Sequence, residues 1–340
     1  MEITESTTIF PIHRLNYRVS EMLGKIITAD IPGYIDKGLK NPVQLIDDGR
    51  GMTECARIDK DILEGDIYVT VSAAFMQFVW LLNDIALKSI DLGTIIQQCN
   101  QFGVKYEDYV NNAEMVAQMT PEELLSNYSL PEGVDAQQYI DYMKRTMPLM
   151  DPKAFDESIL NEFCLLRRLT DKNEHFSPAD FSTVNLRGKY EEAVNAVYCY
   201  SIAFMMLHEL SHFSLGHLNE VTEKLEDEKD ADLNAFWCVF NDLDGREQFT
   251  AVVGILCLLF ALLMLNPTME EDGVHPREDK RIFEIYDNVK EDNPKYAVLL
   301  IKLFKIWAVI TSVKDFPEMT DDSDEGLNVI REYFNAKTES

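Results

Sequence analysis

Three of the six histidines, His208, His212 and His217, fall within the ten-residue run HELSHFSLGH. Within it, His208-Glu209-Leu210-Ser211-His212 is an HExxH motif. On a helix, residues four apart are neighbours on one face. His208 and His212 can therefore present two imidazoles to one Zn²⁺ at about 2.0–2.1 Å. Glu209 then projects beside the ion, placed to take a proton from water that the zinc acidifies. The competing reading is a helix whose two histidines fall at i and i+4 by chance and make ordinary hydrogen bonds.

A catalytic zinc keeps three protein ligands and one open position. Sixteen residues after His212 begins Glu228-Lys229-Asp230-Ala231-Asp232-Leu233-Asn234-Ala235. As a helix, this places Glu228, Ala231, Asp232, Ala235, Cys238 and Val239 on one stripe. Small and apolar residues make that the packed face, yet it holds two carboxylates, which calls for a cation. Glu228 is the expected third ligand. Asp232, one turn later, is the expected acceptor that orients a ligand imidazole. Two alternatives stay open. Glu226 with Asp230 repeats the spacing on a face that lacks small residues. His217 could also reach the metal, but only if Gly216 turns the chain sharply, because helix continuation carries it to the side opposite His208. A second-shell or structural role suits His217 better.

The elements that must position these groups are helical. Tyr190 to Leu207 contains no proline or glycine, becomes almost wholly apolar, and leads through the motif to Gly216 in a C-cap position. One strand is expected within DIYVTV, followed by a helix that Ser72 could cap. Thr120-Pro121-Glu122-Glu123 reads as a capping box with proline at the first helical position. Breaks are expected at 127–135, 170–188, 266–276 and near Pro317. Residues 1–150 read as a mostly helical N-terminal region, not necessarily independent, and 151–340 as the part carrying the chemistry. The class is mainly α, with an α+β minority.

The run Ala251 to Leu265 is fifteen uncharged apolar residues. A spanning helix needs about 20, and runs of about 10–14 usually mean buried core helices. The flanks are acidic and set no orientation, so a buried helix is expected and a membrane partner is not.

Composition narrows the partners further. Asp and Glu number 59 against 31 Lys and Arg, for a net charge of −28 over 340 residues. Phosphate binding needs clustered cations, so nucleic acid is excluded as the expected partner. With 46% hydrophobic residues, a substantial core is expected rather than disorder. The six cysteines are scattered without close pairs, which fits reduced thiols and a cytoplasmic setting. No signal-peptide pattern opens the sequence.

At residues 190–285 the chain resembles zinc metallopeptidases of the gluzincin type, in which HExxH is followed by a glutamate ligand. More narrowly, Glu228, Ala231, Asp232 and Ala235 are similar to the ExxADxxA signature of the HtpX and CAAX-protease family. The segment from His275-Pro276 to Arg281-Ile282 is similar to that family's HP(x)4RI element. Glu228 follows His212 by only sixteen positions, which is closer to soluble bacterial relatives of the Lit phage-exclusion type. Gly216 and His217 fall at the wrong offsets for a metzincin.

The resemblance implies a zincin-like domain whose active-site helix carries HExxH. It implies that His275 faces the substrate and stabilises the oxyanion, with Arg281 supporting it. Read from the residues alone, the competing reading of His275 is a turn histidine before a helix starting at Pro276. The expected function is a zinc-dependent intracellular peptidase, an endopeptidase acting on protein or peptide substrate. The alternative is a catalytically silent or conditionally activated scaffold serving as a regulatory, binding or defence module.

Overall fold

The computed structural model describes residues 12–30, 56–60, 67–130, 133–146, 152–170, 189–217, 225–266, 276–319 and 324–338. His175 and His275 lie outside them, as do most of the breaks expected at 170–188 and 266–276. Among the described residues the chain is mainly helical. In order, it runs α1 (Ile12–Asp30), β1 (Ala56–Lys60), β2 (Ile67–Val71), α2 (Ala73–Gln101), α3 (Tyr106–Gln118), α4 (Pro121–Asn127), α5 (Ala136–Thr146) and α6 (Pro152–Leu169). It continues with α7 (Lys189–Leu215), α8 (Leu225–Phe240), α9 (Gly245–Leu265), α10 (Glu278–Val289), α11 (Lys295–Ile310) and α12 (Asp324–Thr338).

The expected strand is β2, and it pairs antiparallel with β1, with Ala56 opposite Val71 and Lys60 opposite Ile67. Ser72 accepts a hydrogen bond from the Phe75 amide at 3.3 Å, at the start of α2. The capping box at α4 is complete: Thr120 Oγ1 accepts from the Glu123 amide, and Glu123 accepts from the Thr120 amide. No disulfide links Cys99, Cys164, Cys199, Cys238 or Cys257.

The main core is built around α7 and α9, which cross closely because of one small residue. A Cβ at Gly254 of α9 would lie 2.5 Å from the Val197 carbonyl oxygen of α7. Only glycine allows that approach, and Ser201 Oγ uses it to donate to the Gly254 carbonyl at 2.7 Å. The apolar run 251–265 is thus a helix enclosed by the rest of the fold. It is long and apolar enough to cross a membrane by composition, and 72% of its most apolar window is buried. Helix α2 packs on the same pair and is pinned by two buried hydrogen bonds, Trp80 Nε1 to Asn195 Oδ1 and Asn83 Nδ2 to Ser201 Oγ. Apolar side chains of α1 (Ile12, Leu15, Val19) and α12 (Leu327, Ile330, Phe334) close the core at its margins. A second, smaller cluster gathers Cys99, Tyr109, Val116, Leu124, Tyr139, Ile140 and Met143 from α2–α5.

Between α2 and α6 the fold buries a charge cluster. Lys88 Nζ donates to Asp84 Oδ2 at 2.7 Å, to Ser158 Oγ at 2.9 Å and to Glu162 Oε1. The side chains of Lys88, Asp84 and Glu162 are inaccessible to solvent. Asp84 Oδ1 and Glu162 Oε2 find no hydrogen-bond partner among the described residues. Two carboxylates then share one ammonium. Burial, and next the neighbouring Glu162, hold the Asp84 pKa well above the usual aspartate value, although Lys88 pulls it down.

Two consequences can be measured. Lys88→Met strands both carboxylates and is expected to cost about 3–5 kcal/mol in chemical denaturation. The proton that Asp84 keeps on folding is one the unfolded chain releases near about 3.9. Its stabilising effect is therefore present below that pH and fades as pH rises through the raised folded value. Melting temperatures of Asp84→Asn relative to the parent should improve as pH increases; parallel profiles would contradict this assignment.

Candidate metal centre

Helix α7 delivers the motif. Its first turn carries Glu191 and Glu192, which suit the positive end of the helix dipole. It runs without interruption to Leu215, where Gly216 adopts φ +88° and ends it. His208 and His212 are both buried, at 8% and 7% exposure, while Glu209 is half-buried.

Helix α8 supplies the opposing wall. Its buried stripe is Glu228, Ala231, Asp232, Ala235, Phe236 and Val239, matching the predicted face up to the half-buried Cys238. Ala231 and Ala235, both fully buried, let α8 lie close to α7. Ser211 locks the pair. Its hydroxyl donates to the Leu207 carbonyl at 2.6 Å and accepts from Asn234 Nδ2 at 2.8 Å. Asn234 was not singled out in the sequence, because an asparagine beside a packed stripe carries no signal of its own. The alternative pair Glu226 and Asp230 is exposed.

Three groups converge between the helices. His208 Nε2 and His212 Nε2 stand 3.2 Å apart. Glu228 Oε2 is 3.4 Å from His208 Nε2, and Glu228 Oε1 is 3.2 Å from His212 Nε2. One ligand atom from each of the three residues falls within a 4.8 Å set. The edges of a tetrahedron with ligands at about 2.0–2.1 Å are about 3.3–3.4 Å, so the spacing suits a zinc-sized ion.

The electrostatics favour a positive charge at the same point. Burial works to raise the Glu228 pKa, but the facing imidazoles outweigh it and hold the carboxyl well below the usual range. Burial works to lower His208, yet Asp232 and then Glu228 lift it to about 9. For Glu209, burial raises the pKa, partly offset by His208 and His212. Two imidazole nitrogens and an ionised carboxylate at these separations are a donor set that fits zinc.

Behind the three lie further residues. His208 Nδ1 is 2.9 Å from Asp232 Oδ1. Asp232 is gripped in turn by Arg281 of α10, Nε to Oδ2 at 2.6 Å and Nη2 to Oδ1 at 2.7 Å. Burial would raise Asp232, but Arg281 and then His208 hold it at about 2. The guanidinium of Arg281 grips Asp232; the support it was expected to give His275 concerns a residue outside the described ones. Gly216 does turn the chain sharply. That turn brings His217 to the back of His212, Nδ1 to Nδ1 at 3.1 Å, and not to the cluster of ligand atoms. Asp227 follows, with Oδ1 3.8 Å from His217 Nε2.

Comparison with curated proteins and with solved structures returned no match. The family model for Peptidase U49 matches residues 69–301, which contain His208, Glu209, His212, Glu228, Asp232 and Arg281. With about two thirds of its length matched, the chain belongs to the Peptidase U49 family, a family of peptidases.

Proposed function

We propose that the protein is a zinc-dependent, gluzincin-type peptidase that hydrolyses peptide bonds in protein substrates. The observation that carries the reading is the convergence of buried His208 Nε2, His212 Nε2 and Glu228 at separations of 3.2–3.4 Å between α7 and α8. Those residues hold the metal. When bound, zinc lowers the pKa of water towards about 7 and polarises a carbonyl.

Glu209 is the general base. It sits one residue from His208, on the helix that presents both imidazoles, and is only half-buried. It accepts the proton of the attacking water and hands it to the leaving amine, a transfer worth about 10²–10⁴ in rate. Asp232 keeps the His208 ring oriented and its Nδ1 protonated, so that Nε2 offers a lone pair. Arg281 neutralises Asp232 and fixes its carboxylate, which leaves Glu228 as the anionic ligand. His275, on the resemblance, donates to the developing oxyanion.

The roles separate by experiment. Glu209→Gln is expected to retain zinc while losing cleavage by at least about 10²-fold. Glu228→Ala is expected to lose the zinc itself. A Glu209→Gln protein that still cleaves the parent's substrates in a proteome-wide screen would overturn the mechanism. Asp232→Asn is expected to weaken zinc about 10–100-fold in chelator competition, with cleavage recovering when zinc is added in excess.

A further inference from the structure

The two imidazoles are backed differently. His208 has a carboxylate behind it, Asp232, already neutralised by Arg281. His212 has no acid within ion-pair reach of its Nδ1 among the described residues; its neighbour there is the imidazole of His217 at 3.1 Å. The rings lie edge to face, with centroids 5.3 Å apart and planes at 67°. This contact exists because Gly216 takes φ +88°, which ends α7 and turns His217 back towards His212. Side chains other than glycine rarely adopt that conformation.

Hydrogen-bond chemistry then fixes the roles. An imidazole that presents Nε2 to a cation is neutral and carries its proton on Nδ1. The Nδ1–H of His212 must find an acceptor, and the nearby atom is His217 Nδ1. To accept there, His217 must keep its own proton on Nε2. The Asp227 carboxylate, 3.8 Å from that nitrogen, stabilises this arrangement of charge. Both side chains are mostly shielded, 12% exposed for His217 and 16% for Asp227, so water competes poorly for the contact.

We propose that His217 is a positioning residue for His212: it accepts the His212 Nδ1 proton, fixes the tautomer that turns Nε2 towards the metal, and is itself oriented by Asp227. The inference rests on the zinc-peptidase reading and adds a second backing arm to the Asp232–Arg281 arm behind His208.

The test is zinc affinity, measured by chelator competition on the full chain, with melting temperature as the check on folding. His217→Leu removes the acceptor and is expected to weaken zinc about 10–100-fold. His217→Asn places an amide oxygen near the position of the lost nitrogen and should bind within about threefold of the parent. The same rescue should appear in the visible absorption of the cobalt-substituted protein, parent-like for Asn and altered for Leu. Asp227→Ala is expected to weaken zinc severalfold, and it decides the matter if His217→Leu fails to fold. Parent-like affinity in His217→Leu, or in Asp227→Ala where that arm decides, overturns the proposal. Equal weakening by Leu and Asn also overturns it, because shape and not an acceptor would then be what matters. A parent chain that binds no zinc would instead overturn the peptidase reading on which the proposal stands.

Discussion

A buried carboxylate facing two buried imidazoles is a costly arrangement for any helical protein. Glu228, His208 and His212 are each less than a tenth exposed, with their polar atoms 3.2–3.4 Å apart. Taking such groups out of water is tolerated only when a cation, or a full set of hydrogen bonds, compensates them. Much of the surrounding architecture serves this one constraint. Helix α7 must stay straight through its apolar length to carry both imidazoles on one face. Helix α8 must approach closely enough for Glu228 to reach them, which the small side chains of Ala231 and Ala235 on its stripe allow. The Ser211–Asn234 hydrogen bond holds the two helices in register at the level of the motif.

The same logic extends outward in two directions. Behind His208, Asp232 passes its charge to Arg281 on α10. That helix begins at a buried ion pair, Arg277 with Asp279, and Arg277 also donates to the Phe334 carbonyl of α12. The C-terminal helix, which lies beyond the residues matched to the family, thereby buttresses the element that fixes a ligand. Behind His212 the support is shorter, a single turn of chain through Gly216. The site is held from one side by a series of packed helices and from the other by the turn at Gly216.

Much of this was legible in the sequence, and the reason is periodicity. The i, i+4 spacing of His208 and His212, and the acids at Glu228 and Asp232 on an otherwise small-and-apolar stripe, are geometric statements a helix makes by itself. The buried helix at 251–265 is legible from the length of its uncharged apolar run, and the capping box from the Thr-Pro-Glu-Glu signature. The remainder depends on contacts between distant segments. Nothing local identifies β1, whose ARIDK sequence has no clear strand pattern and is defined by pairing with β2. The closure of the Arg281 guanidinium on Asp232, 49 residues earlier, has no local signature in either segment. The Lys88–Glu162 contact joins the largely apolar α2 to α6 across 74 residues of sequence, and nothing local in either helix marks the pairing.

The central claim is that His208, His212 and Glu228 form one zinc site. X-ray absorption at the zinc edge of the purified protein tests it most directly. The account predicts bound zinc with a first shell of light atoms at about 2.0–2.1 Å and the outer-shell scattering of two imidazoles. Zinc coordinated by sulfur at about 2.3 Å, or by a single imidazole, would contradict it.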